Sequence, residues 1–217
     1  GQFRMLNGEY CFPLTMADHV SRFILSSEAL TSTCLEPAWK AVECVFREHG
    51  LPLAMQSDNG PPFGAGNARF STFSVRLMTL DVQPIFSRPG HPQDNGQHER
   101  MHRDMKDWVI AHPAANLAEQ QLVLDEFRKM YNEERPHEGL QMQRPSRVFA
   151  SSSRPFPKRL PKPDYPLHFE KRKVSTCGYV RFRGERFFIG EPFAGQTIAL
   201  EQSDEQLWTV QFYRFAI

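Results

Sequence analysis

Two acidic residues stand in settings that suit phosphoryl transfer. Asp58 opens the segment Asp58-Asn59-Gly60, and Glu99 lies in the later segment 95–100, NGQHER. Magnesium prefers oxygen ligands and keeps several waters, so a few carboxylates from different elements suffice to hold it against a phosphate. Two such ions about 4 Å apart activate an attacking oxygen and stabilise the leaving oxygen of an in-line displacement. Asp58 and Glu99 are therefore candidate metal ligands and catalytic residues.

Each acid also has a purely structural interpretation. An aspartate before Asn59-Gly60 is typical of an Asx turn. A glutamate in the first turn of a helix is stabilised by the helix dipole. For either acid alone the structural interpretation is the stronger one, so the catalytic hypothesis depends on the wider sequence pattern.

Three blocks supply that pattern, namely residues 56–63 (QSDNGPPF), 91–99 (HPQDNGQHE) and 131–140 (YNEERPHEGL). In this order they resemble the integrase core of bacterial insertion-sequence transposases, relatives of retroviral integrases, over about residues 8–145. The resemblance implies a ribonuclease H-like α/β fold, with a mixed sheet flanked by helices. In that family three acids, an Asp-Asp-Glu (DDE) triad, meet at the edge of the sheet. Asp58 looks like the second acid and Glu99 like the third.

The first acid of the triad is the departure from the family pattern. Relatives carry it on the opening strand, upstream of a segment similar to residues 1–4. We therefore expect it to precede Gly1, and the chain to be truncated at its amino terminus. Asp18 is the nearest acid, but it matches a non-catalytic position in a predicted turn. On this interpretation the chain alone does not complete the metal site.

The resemblance further implies the reaction and the partners. The activity is metal-dependent cleavage of transposon ends and transfer of their 3′-hydroxyls into target DNA, with Mg²⁺ or Mn²⁺ in a two-metal site. Transposon-end DNA and target DNA are the partners, and the family suggests a homo-oligomer. Arg103 and Lys106, one and two turns after Glu99, match basic positions that approach DNA in relatives.

The segment 87–95 is rich in Gly, Pro and polar residues and predicts a mobile active-site loop. An ordinary surface loop is the competing interpretation. Its candidate DNA contacts are Arg88, His91, Gln93 and Asn95.

Glu99 also belongs to a motif typical of zinc peptidases. His98 and His102 flank it in the pattern His-Glu-x-x-His, in which two histidines one turn apart bind zinc and the glutamate acts as base. Glu119 or Glu126 would then be the third ligand. Five-residue matches arise by chance, and this interpretation leaves the other blocks unexplained. A further alternative, which is not an enzyme, is a DNA-binding remnant of a transposase.

The periodicity of the first half predicts the elements that carry these residues. Two β-rich runs, 10–17 and 22–29, predict a hairpin. A Thr33-x-x-Glu36 capping box and an apolar stripe predict a helix over about 34–49. The apolar run 53–56 must end at Asp58, because the prolines that follow cannot continue a strand.

Beyond Asp58 the periodicity predicts a helix near 70–80 and a strand at 82–86, so that the order strand, helix, strand indicates an α/β core. Helical spacing returns from Gln97 and continues in a second helix over about 117–132. On the first of these two helices the pattern separates an apolar side (Met101, Met105, Trp108, Val109, His112) from a charged side (Glu99, Arg103, Lys106).

Composition and a series of short strand-like runs predict three regions, a core at 1–144, a proline-rich basic linker at 145–168 that is extended rather than packed, and a small all-β barrel at 169–217. Residues 1–150 carry 15 basic and 18 acidic side chains, whereas residues 151–186 carry 10 basic and 3 acidic. Such a basic block is either a solvated linker or a surface that follows a phosphate backbone. Its candidate DNA contacts are Lys171, Arg172 and Lys173.

The sequence has no run of about 18 apolar residues and no segment of signal-peptide order. We therefore expect a soluble, intracellular protein without a membrane partner, and the family resemblance implies a cytoplasmic, DNA-associated bacterial one. The four cysteines are scattered without a Cys-x-x-Cys pair, which favours reduced thiols over a disulfide framework or a zinc ribbon.

Overall fold

The structure is a computed structural model that describes residues 2–64, 69–87, 96–204 and 207–217. It divides into two compact units: unit 1 comprises Gly1–Leu51 and Ser87–Pro155, and unit 2 comprises Pro52–Phe86 and Phe156–Ile217. The main elements are β1 (Phe3–Arg4), β2 (Tyr10–Ala17), β3 (Ile24–Leu30), α1 (Leu35–His49), β4 (Ala54–Ser57), α2 (Thr72–Thr79), β5 (Gln83–Phe86), α3 (Gly96–Ala111), α4 (Leu117–Lys129), α5 (Pro145–Val148), β6 (Glu170–Lys173), β7 (Tyr179–Phe182), β8 (Glu185–Phe188), β9 (Thr197–Gln202), β10 (Trp208–Phe212) and β11 (Phe215–Ala216). The chain is thus mixed α/β, as predicted.

Unit 1 contains a three-stranded antiparallel sheet in the order β1–β2–β3. The predicted hairpin is confirmed, because β2 and β3 pair from Phe12 opposite Leu30 to Ala17 opposite Ile24. Its turn depends on Asp18, whose Oδ2 accepts hydrogen bonds from the Ser21 backbone N–H (2.7 Å) and hydroxyl (2.6 Å). Asp18 therefore has the structural role that the sequence pattern favoured for it.

Helix α1 confirms the predicted helix but not its predicted start. The residue that caps it is Cys34, and this side chain makes no capping hydrogen bond, so the capping box expected at Thr33 is wrong. The end is as predicted: Gly50 has φ 81° and donates its N–H to the Phe46 carbonyl at 3.0 Å. A Cβ on Gly50 would lie 2.6 Å from the Ser152 carbonyl oxygen, so only glycine fits there.

The core of unit 1 forms where α3 and α4 pack on the sheet. Met101, Met105 and Val109 are buried on one side of α3, as their spacing predicts. They pack with Leu124 and Phe127 of α4. This packing turns the charged side of α3, which carries Glu99, toward solvent.

Polar side chains from α4 and the π-helical turn that continues it, Met130–Glu134, bond to the backbone of β3. Asn132 accepts from the Ile24 N–H at 2.8 Å and donates to the Ile24 carbonyl at 2.9 Å. Gln121 accepts from the Ala29 N–H at 2.8 Å and donates to the Ser27 carbonyl at 3.0 Å. We call these four hydrogen bonds the β3 clamp, because they occupy backbone groups that β2 does not pair.

Unit 2 contains the parallel pair β4 and β5, with Ala54 opposite Gln83 and Ser57 opposite Phe86. Helix α2 connects the two strands, which confirms the predicted strand, helix, strand order. The sequence did not predict how α2 begins. Its capping box is formed by Ser71, which accepts from the Ser74 N–H at 3.2 Å, and Ser74, which accepts from the Ser71 N–H at 2.9 Å.

The carboxyl-terminal part of unit 2 is rich in strands. A four-stranded antiparallel sheet has the order β11–β10–β9–β6, and β7 pairs with β8 as a separate hairpin. Phe193, Ile198 and Phe212 form its core together with Val75 and Met78 of α2. The closed barrel and the three-region division predicted from the sequence stay predictions.

The stretch predicted as an unpacked linker is packed at several points. Phe149 stacks on Phe23 with ring centroids 4.4 Å apart in unit 1. In unit 2 the buried Tyr165 donates its hydroxyl hydrogen to the Thr197 carbonyl at 2.9 Å and accepts the Tyr213 N–H at 3.0 Å. The proline content correctly predicted an irregular backbone here, but it did not predict the packing of Phe149 and Tyr165.

All four cysteines are free thiols. Cys11, on β2, is buried, and this burial raises its pKa to about 11. Cys34, Cys44 and Cys177 are exposed. Across residues 2–64, 69–87, 96–204 and 207–217, none of the helices has the length and apolar character needed to cross a membrane.

We expect Asn132→Asp to lower the free energy of unfolding by about 1–3 kcal/mol, because it removes the donor to the Ile24 carbonyl and buries a carboxylate. Urea unfolding measures the change. Glu133→Ala, at the exposed neighbouring position, is the control and should stay within about 0.5 kcal/mol of wild type. Equal effects of the two substitutions would contradict the stabilising role of the clamp.

Candidate functional site

Asp58 directly follows β4, where the sequence placed it. Its side chain is exposed, and Oδ1 accepts the Gly60 N–H at 3.1 Å in the manner of an Asx turn. Among the described residues Oδ2 has no hydrogen-bond partner. The turn therefore orients the carboxylate and leaves one oxygen for a ligand.

The chain after Asp58 is folded back and anchored. The N–H groups of Phe63 and Gly64 both donate to the Gly60 carbonyl at 2.9 Å. A Cβ on Gly64 would lie 1.9 Å from the Asn59 carbonyl oxygen, so this close approach requires glycine. The Ser71 hydroxyl, at the start of α2, donates to the Phe63 carbonyl at 2.6 Å. The turn that orients Asp58 is thus tied to a helix.

Glu99 lies in the first turn of α3 and is exposed. Arg103 and Lys106 follow on the same exposed side, as predicted. In the described part of the chain no ion pair involves any of the three. An exposed acid followed by two exposed cations offers separate positions for a cation and for phosphate oxygens.

His98 and His102 converge on a residue that sequence analysis missed. The Nε2 atoms of the two rings lie 3.1 Å and 2.6 Å from the Thr15 hydroxyl oxygen, on β2. The ring centroids are 4.5 Å apart. These contacts fasten the first turns of α3 to the sheet. No pattern around Thr15 pointed to this partner.

The Thr15 hydroxyl couples the states of the two rings. A hydroxyl donates one hydrogen, so one Nε2 accepts it while the other ring donates its own N–H to the Thr15 oxygen. Two neutral rings satisfy this arrangement. Burial, together with the charge of His98, lowers the pKa of His102 from 6.5 to about 4, so that the neutral ring is favoured in the fold.

The zinc-peptidase interpretation gains no support from this geometry. Both histidines already bond to Thr15. Glu119, proposed as third ligand, caps α4 by accepting the Ala115 N–H at 2.8 Å and the Asn116 side-chain amide at 3.0 Å. The other proposed ligand, Glu126, is exposed.

The block 131–140 has a structural role in unit 1. His137 Nε2 lies 3.3 Å from the Tyr131 carbonyl oxygen. Arg135 forms an ion pair of 2.7 Å with Asp104 on α3. With Asn132 in the β3 clamp, the block joins α3, α4 and β3.

The remaining candidate DNA contacts divide into three groups. Arg88, His91, Gln93 and Asn95 lie outside the described residues. Lys171 and Lys173 are exposed on β6. Arg172, between them, forms an ion pair with Glu170 and lies 5.4 Å from the centre of the Phe182 ring. The two lysines are therefore better placed to meet phosphates than Arg172.

Asp58 belongs to unit 2 and Glu99 to unit 1, and each is described within its own unit. Within the ranges that the structure describes, no group of three His, Cys, Asp or Glu residues is arranged to hold a metal ion. The chemistry of the two acids nevertheless fits a hard divalent cation, because each is an exposed carboxylate with an oxygen that no described residue bonds.

Comparisons with known proteins agree with this fold. A family profile described as Integrase core domain matches residues 80–145, which include Glu99 and the block 131–140. A chain of the simian T-cell lymphotropic virus intasome, solved with the PP2A regulatory subunit B56 gamma, is similar over 100% of this chain and 76% of its own, at 14% identity and TM-score 0.55.

Two catalytic core structures give the same result. The HTLV-2 integrase catalytic core domain, solved in complex with magnesium in a trimeric form, is similar over 68% of this chain and 90% of its own, at 12% identity and TM-score 0.50. The catalytic core domain of BIV integrase is similar over 68% of this chain and 89% of its own, at 18% identity and TM-score 0.50. At these identities the likeness shows the fold alone, a ribonuclease H-like integrase core.

We expect the free energy of unfolding to fall as pH falls from 6.5 toward 4. In this range His102 binds a proton in the unfolded chain but stays neutral in the folded protein, where its pKa is about 4. His102 contributes at most about 1.4 kcal/mol per pH unit. Above 6.5 both states hold the neutral ring and the contribution is complete. Urea midpoints across this range should depend less on pH in His102→Gln, whereas His19→Gln, at an exposed position, should follow wild type. Identical slopes in all three proteins would contradict the assignment.

Proposed function

We propose that this protein is a DDE-type DNA transposase that cuts transposon ends and joins them to target DNA. The observation that carries the proposal is the placement of two acids. Asp58 follows a strand of a parallel pair, and Glu99 opens a helix within the region that matches the integrase core profile. Their types and order are those of the second and third acids of the DDE pattern.

The reaction consists of two phosphoryl transfers. In the first, the oxygen of a water attacks phosphorus at the transposon end, the bond from phosphorus to the 3′-oxygen breaks, and a free 3′-hydroxyl remains. In the second, that hydroxyl attacks a phosphodiester of target DNA, and the displaced target 3′-oxygen takes up a proton. Each step exchanges one phosphorus–oxygen bond for another, so no oxidant or reductant is required.

Asp58 and Glu99 are the residues that would hold magnesium or manganese. When bound, a pair of such ions lowers the pKa of the attacking hydroxyl and neutralises charge on the phosphate. The Asx turn orients the Asp58 carboxylate, and the contacts of His98 and His102 with Thr15 fix the turn that carries Glu99. Arg103 and Lys106 would bind phosphate oxygens beside the reacting one. Asp58 and Glu99 would thereby supply the second and third acids of the proposed centre.

The similar structures support the proposed cofactor and assembly. The HTLV-2 core was solved with magnesium and as a trimer, and the simian virus chain as part of an intasome. By this analogy we propose magnesium or manganese as the cofactor, transposon-end and target DNA as partners, and a homo-oligomer as the active form. Lys171 and Lys173 would contact the DNA backbone through the exposed side of β6.

Asp58→Asn and Glu99→Gln should each reduce joining of labelled transposon ends to a plasmid by about a hundredfold or more, because each removes a charged ligand oxygen. The assay uses the full-length gene product with Mg²⁺ or Mn²⁺. Binding of transposon-end DNA should remain. Glu126→Gln is the control, at an exposed acid of α4 that only the zinc interpretation offers as a ligand.

Three outcomes of that assay would overturn the proposal. Full activity of either acid variant would remove its catalytic assignment. A wild-type protein that binds transposon ends but never joins them would favour the remnant interpretation. A wild-type protein that binds stoichiometric zinc and cleaves peptides, with both properties lost in Glu126→Gln, would favour the peptidase.

Lys171→Gln combined with Lys173→Gln should weaken duplex DNA binding and reduce the slope of log affinity against log salt by about 2, one for each lost phosphate contact. Arg172→Gln should change the slope less, because Glu170 already neutralises that guanidinium. Lys40→Gln combined with Lys129→Gln, at exposed positions of unit 1, is the matched control. An unchanged slope in the Lys171 and Lys173 variant would refute these contacts.

A further inference from the structure

The hairpin of β7 and β8 presents an outer face that the core of unit 2 does not use. Tyr179 lies opposite Phe188, and Arg181 lies opposite Arg186. Residues directly opposite each other in an antiparallel pair share one face of the sheet. We call these four residues the hairpin outer face. Val180 and Phe182, which alternate with them, are buried on the other side.

The two arginines of the hairpin outer face form a pair of like charges. Charges of the same sign directly opposite each other destabilise an antiparallel pair. Both are exposed, and neither makes an ion pair within the part of the chain that the structure describes. The Arg186 guanidinium lies 4.5 Å from the centre of the Tyr179 ring, which holds it on this face. An anionic partner would relieve the repulsion.

An exposed aromatic ring lies beside this charge. Phe188 is 60% exposed, and its ring centroid is 5.0 Å from that of Tyr179, at an interplanar angle of 57°. The tilt leaves a ring surface of Phe188 accessible, since Tyr179 does not cover it face to face. Phosphate binding alone does not require an exposed ring, whereas contact with a purely apolar partner would desolvate two exposed arginines.

Aromatic rings that stack on bases, combined with cations that follow the backbone, are the combination by which proteins bind single-stranded nucleic acid. We propose that the hairpin outer face binds unpaired nucleotides of DNA, with Phe188 stacked on a base and Arg181 and Arg186 on the flanking phosphates. This rests on the proposed function in taking DNA as the partner. It adds that this surface recognises strands that are opened or frayed, whereas Lys171 and Lys173 bind duplex and single strand alike.

The test measures binding of the full-length protein to a short labelled single strand and to the duplex of the same sequence, by fluorescence anisotropy over a range of salt concentrations, and compares affinities at one of them. Phe188→Leu keeps apolar bulk but removes the ring, and should weaken single-strand binding about tenfold while duplex binding stays within about twofold. Phe188→Trp should preserve or tighten single-strand binding. Arg181→Gln combined with Arg186→Gln should weaken single-strand binding and reduce its salt slope.

Leu207→Ala is the matched control, because Leu207 is an exposed apolar residue of unit 2 outside this face, and it should change neither affinity. Thermal unfolding of each variant confirms that the protein is folded. Unchanged single-strand binding in Phe188→Leu would overturn the inference, and so would an equal loss for single strand and duplex. If the wild-type protein joins DNA ends and Phe188→Leu gives either of these results, this inference alone is overturned. One that binds neither DNA overturns the proposed function as well.

Discussion

The backbone of β3 imposes the constraint on which unit 1 depends. β2 pairs with only one edge of this strand, and buried N–H and C=O groups on the other edge cost free energy unless they are bonded. The β3 clamp meets that need with the side chains of Gln121 and Asn132. The clamp holds α4 against the sheet, α4 packs on α3, and α3 presents Glu99. The local geometry of one candidate catalytic acid is therefore set by amide side chains that take no part in the chemistry.

The sequence was most informative where one local rule decides the outcome. The hairpin of β2 and β3, the buried side of α3 and the end of β4 before Asp58 all follow from local composition, periodicity or proline, and the structure confirms them. It was misleading for the helix starts, where more than one residue has the chemistry of a cap. Thr33 and Glu36 have the spacing of a capping box, yet α1 begins one residue later, and the box that forms is made by Ser71 and Ser74. A serine at the third helical position fulfils the same geometry without matching the usual pattern.

The candidate site was predictable in its acids and not in what holds them. Asp58 and Glu99 stand out because their neighbours repeat a family pattern, and that pattern is local in sequence. Thr15 is separated from His98 and His102 by more than eighty residues, since the contacts span 83 and 87 positions. Contacts of this kind arise only when a strand and a helix meet. The grouping of residues on the hairpin outer face could not be predicted for a related reason, because opposite residues become neighbours only once the register of β7 and β8 is known.

Cys11 connects the folded state of unit 1 with the reactivity of its thiols. The thiolate is the reactive form of cysteine, and burial raises the pKa of Cys11 to about 11, so that this thiol is inert while the sheet is closed. Cys34, Cys44 and Cys177 are exposed, and alkylation or oxidation would therefore begin at them. Because Cys11 lies where β1 pairs with β2, its modification requires the strands to separate. The chain thus carries an internal chemical reporter of sheet opening, with three accessible thiols as the reference.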